Sequence, residues 1–483
     1  LDTPVLSYST GIILIGFFSV LWIFLGWYLG RDNKTADDFQ LAGRNVGLSL
    51  ATATSMATWV TTNTTMVAPE LAFQMGIWGM VGYSMGAVGL ILFAPLAKRI
   101  REILPDGTTS GDFIRIRFGK ISWRIFLFLS LIYSIGWLVS LGMAGGILVQ
   151  SLTGIPYQIG LSIILFICIS YTLLGGLKAV IGTDFIQTVL ILLGITIIGV
   201  ISLQNMDTSV MREKILDKSP GLLNLLFPAA LIFLFNNILF GIGEIFHSNV
   251  WWSRAFAFRR GVGFRAFLWS GILWFPIPIA AGFLAFIASA SEIPVPFPDM
   301  VGPLVAGHLL GEWGGIVIFI LVFSALASSL DSLLAATSDL ISEDIYKGHI
   351  APNATDEQMN SASKICILLL GIFAWLICLP RISNLASILH FSGALVASMI
   401  WPIILGIYWK KANRNAIFLS MLAGSAIGLT SYFLIGFYTA AMVGTAVSMC
   451  VAVFGSFFFP ENFSWEFQNA ERSDTFNNKG IAS

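Results

Sequence analysis

Residues 324–332 read SALASSLDS, four serines and an aspartate inside an otherwise apolar, helix-compatible stretch. On a helix, Ala325, Ser328, Ser329 and Ser332 fall at i, i+3, i+4 and i+7 and share one stripe. Asp331 stands about 60° round from Ser328, alongside Ser324. A lone serine in such a helix usually bonds its own carbonyls and lets a neighbouring helix come close. A carboxylate at the same depth is costly unless something pairs with it. Hydroxyls, carbonyls and carboxylates are the ligands of hard cations, so a monovalent-cation site is the chemistry to which this spacing points. A second acid, Asp184, stands in GGLKAVIGTDFIQ (Gly175–Gln187) at the start of another apolar run. Taken alone, it also fits an acid favoured by a helix N-terminus.

The elements that must position these groups are membrane spans. The chain has 483 residues, 56% hydrophobic and 11% charged, with a mean hydropathy of +0.84. Many runs pass the length needed to cross a hydrocarbon core. Thirteen spans are predicted, at roughly 9–30, 46–74, 78–100, 122–152, 157–176, 183–203, 222–252, 264–289, 313–346, 361–380, 383–409, 414–435 and 438–460. With the N-terminus outside, 22 of the 26 Lys and Arg residues fall on the cytoplasmic side, leaving only Arg212, Lys214, Lys218 and Arg381 outside. That asymmetry predicts a multi-pass protein of the plasma membrane with a cytoplasmic C-terminus. A formal charge of zero gives no nucleic-acid reading. The first apolar run lacks a basic start and is followed at once by another span, so it reads as a membrane helix rather than a cleavable leader.

A single transmembrane domain is expected over 1–460, with a core at 46–409, followed by a short polar cytoplasmic tail at 461–483. The proline-rich, acidic stretch 290–312 is expected to form a small external cap. The four cysteines, Cys168, Cys366, Cys378 and Cys450, lie in apolar runs without metal-type spacing and read as packing residues.

Spans 2–6 and 7–11 suggest two blocks of five, since the third member of each is unusually long. Odd-numbered blocks insert with opposite topology, the inverted-repeat arrangement of many secondary transporters. The first helix of each block carries breaking signals: the threonine-rich TSMATWVTTNTTMVAPELA from Thr54, with Asn63 and Pro69, and FNNILFGIGEIFHSN from Phe235, with Gly241, Gly243, Glu244 and His247. Both are expected to be discontinuous, with freed backbone groups lining a site in mid-membrane.

GGLKAVIGTDFIQ resembles the signature of the sodium/solute symporter family. The serine-rich ninth span ending in EDIYK (Glu343–Lys347), WKKANRNA (Trp409–Ala416) and the thirteen-span layout agree with it. The resemblance implies the five-plus-five inverted-repeat fold with three flanking helices. It also implies a sodium site made of carbonyls of Ala57, Val60 and Ala325 and the hydroxyls of Ser328 and Ser329. Some members bind a second cation further in, which here implicates Asp184, Asp331 and Ser332. An aspartate in place of a hydroxyl departs from that pattern, leaving a sodium site, a proton site and a structural role all open. A weaker likeness to the urea/polyamine branch rests on ATWVTTNTTM (Ala57–Met66), LPDGTTSGDFIRIRFG (Leu104–Gly119) and LWFPIP (Leu273–Pro278).

The substrate cavity is expected beside the two breaks, with Trp59, Thr61, Asn63, Thr64, Tyr83, Glu244, His247, Trp274 and His390 as candidates. The aromatics fit core packing as well as ligand contact, and the two histidines fit structural roles. Glu244 is the strongest, because a buried carboxylate calls for a partner such as an amine or amide N–H. The resulting expectation is sodium-coupled symport of a small polar solute, with urea, a polyamine or another nitrogen compound foremost. The alternatives are an amino-acid or carboxylate symporter, a membrane sensor on the same fold, and a channel-like facilitator. No HExxH set appears, and no histidine sits near SALASSLDS, so hydrolysis is not expected.

Overall fold

The computed structural model describes residues 4–31, 35–205 and 207–465, so most of the expected tail, 466–483, lies outside the described residues. Its described start is docked: Trp465 Nε1 donates to the Gly406 carbonyl at 3.2 Å and Phe463 N–H to the Lys410 carbonyl at 3.0 Å. Among the described residues the architecture is all-helical, and the one extended pairing is an isolated bridge between Val46 and Phe258.

Eleven helices among the described residues are long and apolar enough to cross a bilayer, against thirteen spans expected. The expected spans 157–176 and 183–203 join as Tyr157–Asn205, interrupted at Gly176 (φ 57°, ψ −159°). A side chain at Gly176 would have to adopt left-handed backbone and meet Phe39 at once. The expected span 46–74 is divided into Leu48–Trp59, Asn63–Val67 and Ala68–Met75, each too short to cross alone.

The two five-helix blocks are matched piece by piece. The first runs from the broken 48–75 segment through Ile77–Ile103 and Ser110–Thr153 to Tyr157–Asn205. The second runs from Pro228–His247 and Asn249–Ala257 through 262–291, Val301–Leu340 and Asp356–Cys378 to 385–408. The third member of each is long, at 44 and 40 residues, and each is bent near its start by a left-handed glycine, Gly119 (φ 82°) or Gly311 (φ 60°). The stretch 290–312 is mostly helix, set off from the rest of Val301–Leu340 by the bend at Gly311. Its Asp299 clamps Arg381, with Nη2 at 2.6 Å and 2.8 Å from the two carboxylate oxygens.

The second break differs from expectation. Pro228–His247 is continuous through Gly241 and Gly243, and the chain leaves helix only at Ser248 (φ −67°, ψ 130°). The paired glycines serve close approach instead. A Cβ on Gly241 would strike the backbone of Gly86, and one on Gly243 the carbonyl of Val396. Small residues let membrane helices meet backbone to backbone in this way.

Candidate functional site

The first break satisfies several of its freed backbone groups through side chains. Leu48–Trp59 ends at Val60 (φ −80°, ψ 77°). The Thr61 and Thr64 N–H groups then donate to each other's hydroxyls, at 3.2 Å and 3.1 Å. The Trp59 carbonyl, freed from the helix, accepts from Thr64 Oγ1 at 3.0 Å and from Trp274 Nε1 at 2.6 Å. Pro69 lies beyond the break, where it widens the next turn. It has no N–H to offer the carbonyl four residues back, and Ala68 N–H reaches Asn63 instead. Thr64 and Trp274 thus support the break, and Trp274 also faces the cavity described below.

SALASSLDS packs against the inner end of this break. Ser329 Oγ reaches the Thr58 carbonyl at 3.2 Å and its own helix's Ala325 carbonyl at 3.0 Å. Thr58 is one residue from Ala57 and two from Val60, so Ser329 lies against the inner end of the broken segment. Ser328 donates to Asp184 Oδ1, and Thr54 Oγ1 donates to Asp184 Oδ2 at 2.5 Å. Asp184 and Ser332 meet only through a shared partner.

Their partner is a residue that sequence reasoning placed in a cytoplasmic loop. Arg254 is fully buried, with Nη2 at 3.3 Å from Asp184 Oδ2, 2.7 Å from Ser332 Oγ and 2.6 Å from Thr58 Oγ1. Its Nε lies 3.1 Å from Thr54 Oγ1. The Ser248 break returns Asn249–Ala257 to the protein interior, and this brings the guanidinium to the acid. Asp331 makes no hydrogen bond to that pair, although its charge is close enough to act on both. Its Oδ1 accepts the Ser332 N–H at 2.5 Å, while Oδ2 is buried without a partner. Tyr171 lies beside it, with its hydroxyl given to the Ala327 carbonyl at 2.8 Å.

Further out, beside the first break, a cavity is lined by Trp59, Thr61, Asn63, Tyr83, Gly86, Tyr133, Trp137, Asn237, Phe240, Glu244, Trp274 and Leu389. Its volume is about 20 Å³. That is room for about one water, so the cavity is closed around very little. Two buried donors on its lining, Asn63 Nδ2 and Trp59 Nε1, have no partner. Asn63 is oriented through its other end, since Oδ1 accepts from Ser140 Oγ at 3.1 Å. Glu244 is held by Tyr133 Oη at 2.7 Å and Trp251 Nε1 at 3.1 Å and 3.2 Å. A carboxylate has about four lone-pair positions, so it can still accept from a ligand.

Thr64, His247 and His390 do not line this cavity. His247 packs edge-on against Tyr133, ring centroids 4.7 Å apart. His390 Nε2 lies 3.1 Å from Asn237 Oδ1, while Asn237 Nδ2 donates to the Gly82 and Tyr83 carbonyls. His390 therefore orients a lining residue. Tyr133, Trp137 and Asn237 were missed. The unusual pair Asn236–Asn237 in an apolar helix is a signal that could have pointed to the last of them.

The model of the sodium:solute symporter family matches residues 39–424, most of the chain. The chain belongs to this family. Among curated relatives, it is 26% identical to the urea-proton symporter DUR3 of Oryza sativa subsp. japonica, over 88% of this chain and 65% of that protein. It is 23% identical to the urea active transporter of Saccharomyces cerevisiae, over 93% and 68%. It is 25% identical to the osmoregulated proline transporter OpuE of Bacillus subtilis, over 86% and 87%. The chain thus spans about two thirds of the two urea transporters' length and most of the proline transporter's. Among solved structures, the substrate-bound outward-open state of a Na+-coupled sialic acid symporter matches with a TM-score of 0.78 at 20% identity, covering 94% of this chain and 99% of that one. The fold is accordingly that of an inverted-repeat symporter, and the protein is a multi-pass membrane protein.

Proposed function

We propose that this family member is a secondary active symporter that couples inward sodium movement to uptake of a small neutral amide-type solute, urea being the simplest. The observation that carries the substrate reading is the cavity at the first break. It combines two partnerless buried donors, Asn63 Nδ2 and Trp59 Nε1, with the acceptor Glu244. Buried donors without partners are costly, and a carbonyl-bearing ligand relieves that cost while giving its N–H groups to the carboxylate. The aromatic lining, with Trp59 and Trp274 centroids 5.7 Å apart, suits a flat solute. The urea-transporting relatives support the same direction.

The sodium site is built from the carbonyls of Ala57, Val60 and Ala325 and the hydroxyls of Ser328 and Ser329. Ion binding there ties the serine-bearing helix to the broken one, which coordinates the inner end of the site with the cavity. The N-terminus lies outside and the C-terminus in the cytoplasm, the orientation that the basic-residue asymmetry favours. Arg254 supplies beside Asp184 and Ser332 the positive charge that a second cation at Asp184, Asp331 and Ser332 would bring, so one sodium moves per solute. A second reading, a coupled proton on Asp331, rests on its partnerless Oδ2.

The test is uptake into proteoliposomes of labelled urea, a polyamine, proline and a hexose, under an inward sodium gradient at equal pH and under a proton gradient without sodium. Sodium-driven urea uptake supports the proposal. Uptake of proline or hexose with none of urea refutes the substrate reading. Full activity on a proton gradient alone transfers the coupling to Asp331.

A further inference from the structure

A second cavity, remote from the transport site, opens between the end of the Ile77–Ile103 helix and the start of the Val262–Trp274 helix. Its volume is about 490 Å³. Lys98, Arg101, Arg259 and Arg260 line it, and Glu102 is the acid among the lining residues. Glu102 is engaged by Arg99 at 3.0 Å. Asp37 and Asp106 are the further acids that act on Arg101, and Asp37 is held by Arg44 at 2.8 Å. Among the described residues, none of the four lining basic groups forms an ion pair. Arg101 spends Nη1 on the Pro105 carbonyl at 2.9 Å and keeps a buried, partnerless Nε. Arg259 spends its Nε on Asn45.

The floor of the cavity adds to the positive field. Gly261, with φ 82° and open space where a Cβ would stand, turns the chain into the Val262–Trp274 helix, whose start has no side-chain cap. Gly263 and Phe264 of that first turn line the cavity. An uncapped helix start directs N–H groups and the positive end of the helix dipole towards an anion. The two helices then lead away from the cavity with apolar side chains exposed, Leu92 on one and Phe264, Trp269, Ile272 and Leu273 on the other. Phe264 belongs to both the cavity wall and the exposed stripe.

We propose that this cavity holds the phosphate headgroup of an anionic phospholipid, whose acyl chains lie along the exposed stripes. Basic pockets at the ends of membrane helices recognise such headgroups by charge. Four basic side chains against one engaged acid select against a zwitterionic headgroup, whose own cation they repel. The continuity of the cavity with the apolar stripes selects a lipid over a free phosphate.

The experiment is thermal unfolding and native mass spectrometry of the purified full chain with short-chain phosphatidylglycerol, short-chain phosphatidylcholine or inorganic phosphate. Wild type is expected to bind and be stabilised by phosphatidylglycerol well beyond the other two. K98Q/R260Q changes two exposed side chains and should weaken phosphatidylglycerol binding roughly thirtyfold. K120Q/R124Q, elsewhere on the basic face, should leave it unchanged. Equal binding of the two lipids, an effect of inorganic phosphate equal to that of phosphatidylglycerol, or unaltered phosphatidylglycerol binding in K98Q/R260Q would each overturn the assignment.

Discussion

Neutralising one member of the Arg254–Asp184 pair should cost far more than neutralising both. The two side chains are fully buried, with Nη2 and Oδ2 3.3 Å apart. At an effective dielectric of about 20, charges at that separation attract by about 5 kcal/mol before desolvation is subtracted. Either Arg254→Gln or Asp184→Asn leaves an uncompensated buried charge, a loss of about 3–5 kcal/mol. Arg254→Gln also releases Thr54, Thr58 and Ser332. These hydroxyls can repair much of that among themselves, since Thr58 and Ser332 already lie 3.2 Å apart. The double variant strands neither member of the pair and should lose less than either single variant, about 1–2 kcal/mol for one or two hydrogen bonds. A double-mutant cycle on unfolding in a fixed lipid–detergent mixture should therefore return a coupling of several kcal/mol.

Sodium titration of the same four proteins adds a readout that a purely structural pair would not move. Without the guanidinium, Asp184 is left among the oxygens of Thr54, Thr58, Ser328 and Ser332. Arg254→Gln should gain sodium-dependent stabilisation beyond that of wild type, about 2.7 kcal/mol more at a hundred times the dissociation constant of the added site. Additive single losses would refute the pairing. A pairing without extra sodium stabilisation would refute the idea that the arginine stands in for a second ion.

At the proposed sodium crossing, Ser329→Ala removes one oxygen ligand and should raise the sodium concentration for half-maximal uptake by roughly tenfold, about 1.4 kcal/mol for a hydrogen-bond-scale contact to a charge. Unchanged sodium activation would sink that assignment. Trp59→Phe deletes a partnerless donor while keeping an aromatic ring, so it should weaken urea binding by about fivefold with little change in thermal stability; lower stability with unaltered binding would place the residue in the core alone. Asp331→Asn should leave the response of uptake to a sodium gradient intact, and loss of proton-driven uptake in this variant would identify the proton reading instead. Gly243→Val forces side-chain atoms into the Val396 carbonyl and should destabilise the fold by about 1–3 kcal/mol; a wild-type unfolding temperature would show that the two helices do not meet there.

How far each group could be read from the chain depends on the range of the forces that place it. Helical period put Ser328, Ser329 and Ser332 on one face, and that face is the one that meets the first break. Local chemistry also marked the break itself, because a run of threonines can supply the hydroxyls that satisfy freed N–H groups. Gly241 and Gly243 misled for the complementary reason. Glycine is compatible with both a break and a tight helix crossing, and only the partner surface, Gly86 or Val396, decides between them.

Arg254 was out of reach on the same grounds. In WWSRAFAFRRG it is one of several arginines following an apolar run, and charge asymmetry assigns them all to water. The chain ends its helix at Ser248 and re-enters the interior for nine residues, so the first arginine is buried while Arg259 and Arg260 remain exposed. A buried arginine is tolerable only where a carboxylate waits for it, and Asp184 is contributed from the other five-helix block, 70 positions away. The two acids that looked alike in sequence therefore have different fates. Asp184 is paired across the repeat, and Asp331 is left with a buried oxygen open to an ion or a proton.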